Sequence, residues 1–380
     1  MRWDIFCKVV DNFGDMGVCW RLSRDLAARG AQVRLWTDDA SPLRWMAPEV
    51  LPDGSGAPGI VVMPWRPDTD WSVVEPGDVV IEAFGCDLPD GFVARMQRPI
   101  PPAWINLEYL SAEGYVERSH GLPSPLHSGP GAGLVKRFFY PGFTTSTGGL
   151  IREPGLLAAR DALQASPQAR AQCLSNWGID LAAHAGANTR VVTLFCYDES
   201  PVGPLLDVLN QADEPCAVLL TPGHAAQQGQ AWRAGSTWRQ GRVSLHPLPA
   251  LPQPQFDRLL WCSDLNVVRG EDSAVRALWA ARPHVWQIYR QDDGVHAQKL
   301  MAFMDRWMAD WPAPCRTEVT RLWLAFNGLA PASDLGLALQ ALWQGPNWLT
   351  WRDFSQRSCQ LLAAQNDLVS QLLDFVAQPG

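Results

Sequence analysis

Two apolar periods take turns along this chain. Ile5–Val10 is a short, largely apolar run with β-branched residues, as expected of a strand buried on both faces of a parallel sheet. From Val18 the spacing becomes helical, with Val18, Cys19, Leu22 and Leu26 on one face, and Gly30 stands where a left-handed C-terminal cap falls. Gln32–Thr37 is again a strand. The opening is therefore strand, loop, helix, strand, and in an open α/β sheet the loop beyond a strand's carboxyl end is where ligands bind. Ile60–Trp65, Val79–Phe84 and Trp104–Leu110 read as further strands and Pro89–Gln97 as a helix, which makes an alternating α/β domain. From Ser111 to about Thr147 both periods fade, apart from one predicted strand, Leu134–Tyr140, so an ordered functional loop is expected there.

Residues 150 to 187 carry helical segments rich in Ala and Leu, and a second alternation starts at Thr189. Its predicted strands are Arg190–Tyr197, Cys216–Thr221, Val243–Pro247, Asp264–Arg269 and His284–Ile288; its predicted helices are Pro201–Gln211, Gln255–Cys262 and Ser273–Ala280. The domain boundary is expected near residue 185. At 380 residues, two domains are also what length alone suggests.

Charge narrows the classes of partner. A net charge of −8 argues against non-specific nucleic-acid binding and leaves room for an acidic site facing a basic group. The nine cysteines are scattered without any Cys-x-x-Cys and read as reduced core residues. With no signal-peptide pattern and no apolar run long enough to span a bilayer, a cytoplasmic protein without membrane association is expected. Tryptophans 307, 311, 323, 343, 348 and 351 fall among C-terminal helices, where packing is their expected role.

Two stretches hold candidate chemistry. The loop Asp11-Asn-Phe-Gly-Asp-Met-Gly17 has two carboxylates four residues apart and two glycines, but not the Gly-x-Gly-x-x-Gly spacing of a dinucleotide fingerprint. Asp11 and Asp15 either cap turns and the helix start, or form a carboxylate pair for a cationic or proton-donating group. The second stretch, Asp264-Leu-Asn-Val-Val-Arg-Gly-Glu-Asp-Ser273, is a strand, a tight turn at Gly270 and a helix start. It is either an acidic capping turn or an anion site, with free N–H groups and Arg269 receiving a diphosphate. Phe195 and Tyr197 alternate on one strand face, as a base-stacking pair or as core. Asp38-Asp39 and Asp292-Asp293 are doublets without the Asp-x-Asp spacing of metal-dependent transferases, so no metal is expected.

These two stretches occur together with Leu35-Trp-Thr-Asp-Asp39, Gly121-Leu-Pro-Ser124, Phe139-Tyr-Pro-Gly-Phe-Thr144 and Thr147-Gly-Gly149. On these words, over nearly its whole length, the sequence resembles the bacterial protein-arginine rhamnosyltransferases that modify translation elongation factor P. The resemblance implies an α/β fold of two Rossmann-like domains facing a central cleft, the GT-B glycosyltransferase architecture. Residues 1–184 would bind the acceptor, completed by a C-terminal helix 352–380, and 185–351 would bind the nucleotide sugar.

The reaction it implies is inverting transfer of L-rhamnose from dTDP-β-L-rhamnose to an arginine nitrogen of elongation factor P, without cofactor or metal. A guanidinium is protonated at neutral pH and a poor nucleophile until a carboxylate binds it and takes a proton. Asp15 would be that base, Asp11 a second carboxylate that orients the guanidine or supports the loop, and Glu271 a third contributor near the donor. Asn12, Phe13, Gly14 and Gly17 would shape the loop. Phe195 and Tyr197 would lie against the thymine or its deoxyribose, and Gln253, rather than Gln255, would read the base. Arg269, Gly270, Glu271, Asp272 and Ser273 would bind the donor, with Arg269 and the helix start at its diphosphate. The rival readings are a GT-B enzyme with another nucleotide sugar or a small-molecule acceptor, and a non-catalytic module that binds a translation factor through the acidic loop.

Overall fold

The computed structural model describes residues 1–10, 13–180, 189–235, 241–291, 294–343 and 346–377. The chain forms two compact units, Met1–Pro154 with Leu362–Gly380, and Gly155–Leu361. Seven strands build the first: β1 Arg2–Cys7, β2 Gln32–Thr37, β3 Ile60–Pro64, β4 Val79–Ala83, β5 Ala103–Leu107, β6 Pro123–Pro125 and β7 Val135–Phe139. Their order is β3-β2-β1-β4-β5-β7-β6, and every pairing is parallel except β6 with β7. The second unit has β8 Arg190–Leu194, β9 Cys216–Leu220, β10 Val243–Pro247, β11 Leu265–Arg269 and β12 His284–Gln287, all parallel in the order β10-β9-β8-β11-β12. Both sheets reverse their winding beside their first strand, between β1 and β4 and between β8 and β11, and such a switch point opens a crevice at the carboxyl ends of the strands.

Local chemistry explains where the elements start and stop. The first helix, Gly14–Ala28, begins four residues before the helical spacing suggests, so Gly14 and Gly17 lie in its first turn rather than in a loop. The Gly17 amide donates to the Phe13 carbonyl at 2.9 Å, which starts the ladder despite two poor helix formers. At its other end Gly30 (φ 90°) lets the amides of Gly30 and Ala31 close back on the carbonyls of Ala27 and Leu26, a Schellman cap.

Three expectations are corrected. Helices Leu156–Ala165 and Pro167–Ser175 belong to the second unit, so the division falls at Pro154 rather than near 185. Leu163, Cys173, Leu174 and Ile179 share one buried cluster with Leu259, Trp261 and Val268. The C-terminal amphipathic run is two helices, Pro346–Ala363 and Leu368–Ala377. Asp367 caps the second, its carboxylate accepting from the Ser370 amide at 2.9 Å and hydroxyl at 2.7 Å. The stretch 111–147 contains a helix, Gly114–Ser119, besides β6 and β7. Its following words hold the last helix to the first unit: Phe139 meets Phe375 edge to face at 5.5 Å, and Arg152 donates to the carbonyls of Ala363 and Gln365 at 2.7 and 3.0 Å.

All six of those C-terminal tryptophans are buried. Of the nine cysteines, all free, only Cys86 is not fully buried. Among the described residues, no helix is long and apolar enough to cross a membrane.

Candidate active site

At the switch point of the first unit, β1 leads into the acidic loop and the helix Gly14–Ala28. Asp15 is the second residue of that helix and only 3% exposed, and its Oδ2 accepts the Val10 amide at 2.9 Å. Phe13 is partly exposed and meets Trp45 edge to face at 5.2 Å. Asp11 and Asn12 lie outside the described residues.

The second switch point brings together residues from four segments. Arg269 ends β11, and its guanidinium carbon lies 4.8 Å from the ring centre of Phe195 and 4.5 Å from that of Tyr197, both just beyond β8. The two aromatics therefore do share a face, and that face carries an arginine. Cation–π contact with two rings limits the freedom of the guanidinium and leaves its N–H edge to donate. Phe195 is braced edge to face by Phe256 and Tyr197 by Tyr289, each at 5.7 Å. Beside Arg269, Gly270 takes φ 70°, a turn that suits glycine, and the helix Glu271–Ala280 follows with Glu271, Asp272 and a buried Ser273 in its first turn. Its opening N–H groups and Arg269 together are a set of donors able to receive an anion.

Gln253 starts the helix Gln253–Cys262 and is 6% exposed, whereas Gln255 is exposed. One turn on, Asp257 forms a buried two-pronged ion pair with Arg276 of the helix Glu271–Ala280, at 2.8 Å (Nε to Oδ1) and 2.6 Å (Nη2 to Oδ2). The two helices whose starts carry Gln253 and Glu271 are thereby fixed to each other.

Three further residues were not found from sequence spacing. Lys299, on the helix Val295–Trp307, forms an ion pair with Glu271. Gln287, the last residue of β12, accepts the Tyr197 amide at 2.8 Å and lies 2.8 Å from the Ser200 hydroxyl. Gln228 donates to the Tyr197 and Asp198 carbonyls at 3.2 and 2.5 Å. No local pattern reveals any of them, because each partner is contributed by a different strand or helix. Among the described residues, no three His, Cys, Asp or Glu side chains group as metal ligands do.

Two Rossmann-like units with polar machinery at the carboxyl ends of their strands define a GT-B glycosyltransferase fold. Solved structures share it: Acinetobacter baumannii MurG aligns over 99% of both chains with TM-score 0.53 at 11% identity, a likeness of fold alone. A model of the family described as Elongation-Factor P (EF-P) rhamnosyltransferase EarP matches residues 3–377. The protein-arginine rhamnosyltransferase of Pseudomonas putida is 42% identical over 98% of both chains, and that of Neisseria meningitidis serogroup B 36% identical over 98% of this chain and 96% of the other. A structure solved for EarP-mediated arginine glycosylation of translation elongation factor EF-P aligns over 98% of each chain, with TM-score 0.67 and 32% identity. The chain belongs to the EF-P rhamnosyltransferase family.

Proposed function

We propose that this protein transfers L-rhamnose from dTDP-β-L-rhamnose to an arginine side-chain nitrogen of elongation factor P, with inversion at the anomeric carbon and without a metal or other cofactor. The observation that carries the reading is the second switch point, where Arg269, held on Phe195 and Tyr197, stands beside the start of the helix Glu271–Ala280. This group of donors fits a departing diphosphate. Gln253 is assigned to the base, with Phe195 and Tyr197 against the base or its deoxyribose.

The first unit supplies the opposite charge. Asp15 binds the acceptor guanidinium and takes its proton as the nitrogen attacks C1 of rhamnose and the bond from C1 to the diphosphate oxygen breaks. Asp11 orients the guanidine or supports the loop, and Glu271, ion-paired with Lys299, acts near the donor. Mass spectrometry of elongation factor P after incubation with the purified protein and dTDP-β-L-rhamnose tests the reading; a deoxyhexose on an arginine is expected, and an unmodified acceptor overturns it. Transfer should persist in excess EDTA. Activity lost there and restored by magnesium or manganese would refute the metal-free assignment.

A further inference from the structure

The carboxyl ends of β4 and β5 hold a feature that this mechanism does not use. Phe84 (φ 59°) and Asp87 (φ 50°) both adopt left-handed backbone, with Gly85 (φ 64°) between them. A bulky side chain resists that conformation, and such outliers gather at functional sites. The Phe84 amide donates to the Leu107 carbonyl at 2.7 Å, and the Phe84 ring stacks on Tyr109, with centroids 4.5 Å apart and planes 15° from parallel. Cys86 in the same turn places its Sγ 3.4 Å from the Phe6 carbonyl, so the turn lies against β1, from which the acidic loop departs.

A stacked pair that served only packing would be buried. Tyr109 is instead 38% exposed; a second exposed aromatic, Tyr115 (44%), meets Tyr140 edge to face at 5.9 Å. Burial together with the nearby Glu108 charge raises the Tyr140 pKa, so Glu108 lies in reach of this second pair. Glu108, next to Tyr109, is half-buried and accepts from Asn106 Nδ2 at 2.7 Å. Burial raises its pKa, and the cation whose field reaches it, Lys136, is hydrogen-bonded to Glu82 through both carboxylate oxygens at 3.1 Å.

We propose that this aromatic rim is the docking surface for the acceptor protein, taking a basic side chain that neighbours the modified arginine over Tyr109, with Glu108 as its counter-ion. Ring faces beside a carboxylate suit a guanidinium or ammonium and repel an anionic nucleotide sugar, so the rim is assigned to acceptor rather than donor. The inference rests on the protein-acceptor reading above.

Steady-state kinetics with elongation factor P test it on the full chain. Tyr109→Ala should raise the acceptor KM about 10-fold, the order of a lost cation–π contact, with a much smaller change in kcat and none in dTDP affinity. Tyr109→Phe should recover most of that loss. Glu108→Gln should raise the acceptor KM and flatten its dependence on ionic strength. Should Phe84→Gly fail to fold, Tyr109 still decides; if it folds, acceptor KM should rise, because the ring that stacks on Tyr109 is gone. Wild-type transfer with an unchanged acceptor KM in Tyr109→Ala overturns the docking surface alone. Absence of wild-type transfer overturns the protein-acceptor reading and the docking surface with it.

Discussion

Asp15→Asn separates the catalytic role of this carboxylate from a helix-capping one. The substitution keeps the size of the side chain and a carbonyl that can accept the Val10 amide, which Asp15 Oδ2 does at 2.9 Å. What it removes is the charge in the first turn of the helix Gly14–Ala28 and the ability to take a proton. The lost interaction with the helix terminus is worth about 0.3–1 kcal/mol. In a unit of this size that lowers the melting temperature by at most about 2–4 °C. A positioned general base contributes about 10²- to 10⁴-fold, which at 1.36 kcal/mol per factor of ten is about 3–5 kcal/mol of transition-state stabilisation. The catalytic effect therefore exceeds the structural one severalfold. Turnover with purified elongation factor P and dTDP-β-L-rhamnose, dTDP affinity by calorimetry and thermal melting should show activity lost by that factor, affinity unchanged and the fold nearly intact. A fully active Asp15→Asn protein would refute the assignment of the base.

Arg269→Lys keeps a positive charge but loses the planar fork that lies on Phe195 and Tyr197, and should weaken dTDP binding by about 10-fold or more in calorimetry. Arg276→Met leaves the Asp257 carboxylate buried without its two-pronged partner and should cost about 3–5 kcal/mol in urea unfolding. His284 is fully enclosed, its Nδ1 donating to the Arg282 carbonyl at 3.2 Å, and burial pushes its pKa down to about 4 from 6.5. Between those values the unfolded chain binds a proton that the native imidazole refuses, so stability falls as pH drops through that window, by about 2 kcal/mol from pH 7 to pH 5. His284→Gln should flatten this part of the urea stability curve, and an equally steep curve in the variant would exclude His284 as its source.

Legibility in the sequence followed the range of the interaction. The limits of β2 are those its apolar alternation predicts, and the turn from Arg269 to Ser273 is a strand end, a glycine and a helix start in five successive residues. Such features are local, and their residues say what they do. The first helix was read too short because Gly14 and Gly17 depress helix propensity, and only the first-turn hydrogen bond reveals that helix continues through them. The break at Asp367 had a signal, an Asp three residues before a Ser at the head of a leucine-rich run, which the amphipathic spacing obscured. The helices Leu156–Ala165 and Pro167–Ser175 show an apolar stripe, yet a stripe does not say which sheet it will cover. Gln287 with Tyr197, Lys299 with Glu271 and Arg276 with Asp257 are 90, 28 and 19 residues apart, and only the folded sheet brings each pair together.

The two units use one strand order for opposite charges. Where the first sheet reverses, the residues beyond the strand ends are Asp15, after β1, and, two strands on, Glu108, after β5, in a unit whose exposed aromatic rim favours cations. Where the second reverses, they are Arg269 on its two rings and the N–H groups at the start of the helix Glu271–Ala280, with Lys299 behind Glu271. A common backbone thus supplies two crevices, and the difference between them lies in which residues end the strands. A transferase joining a cationic acceptor to an anionic donor needs that division, because a carboxylate placed among the diphosphate donors would weaken the field that stabilises the leaving group. Two carboxylates, Glu271 and Asp272, open the helix Glu271–Ala280, and Lys299 pairs with the first of them, offsetting its charge within the second unit.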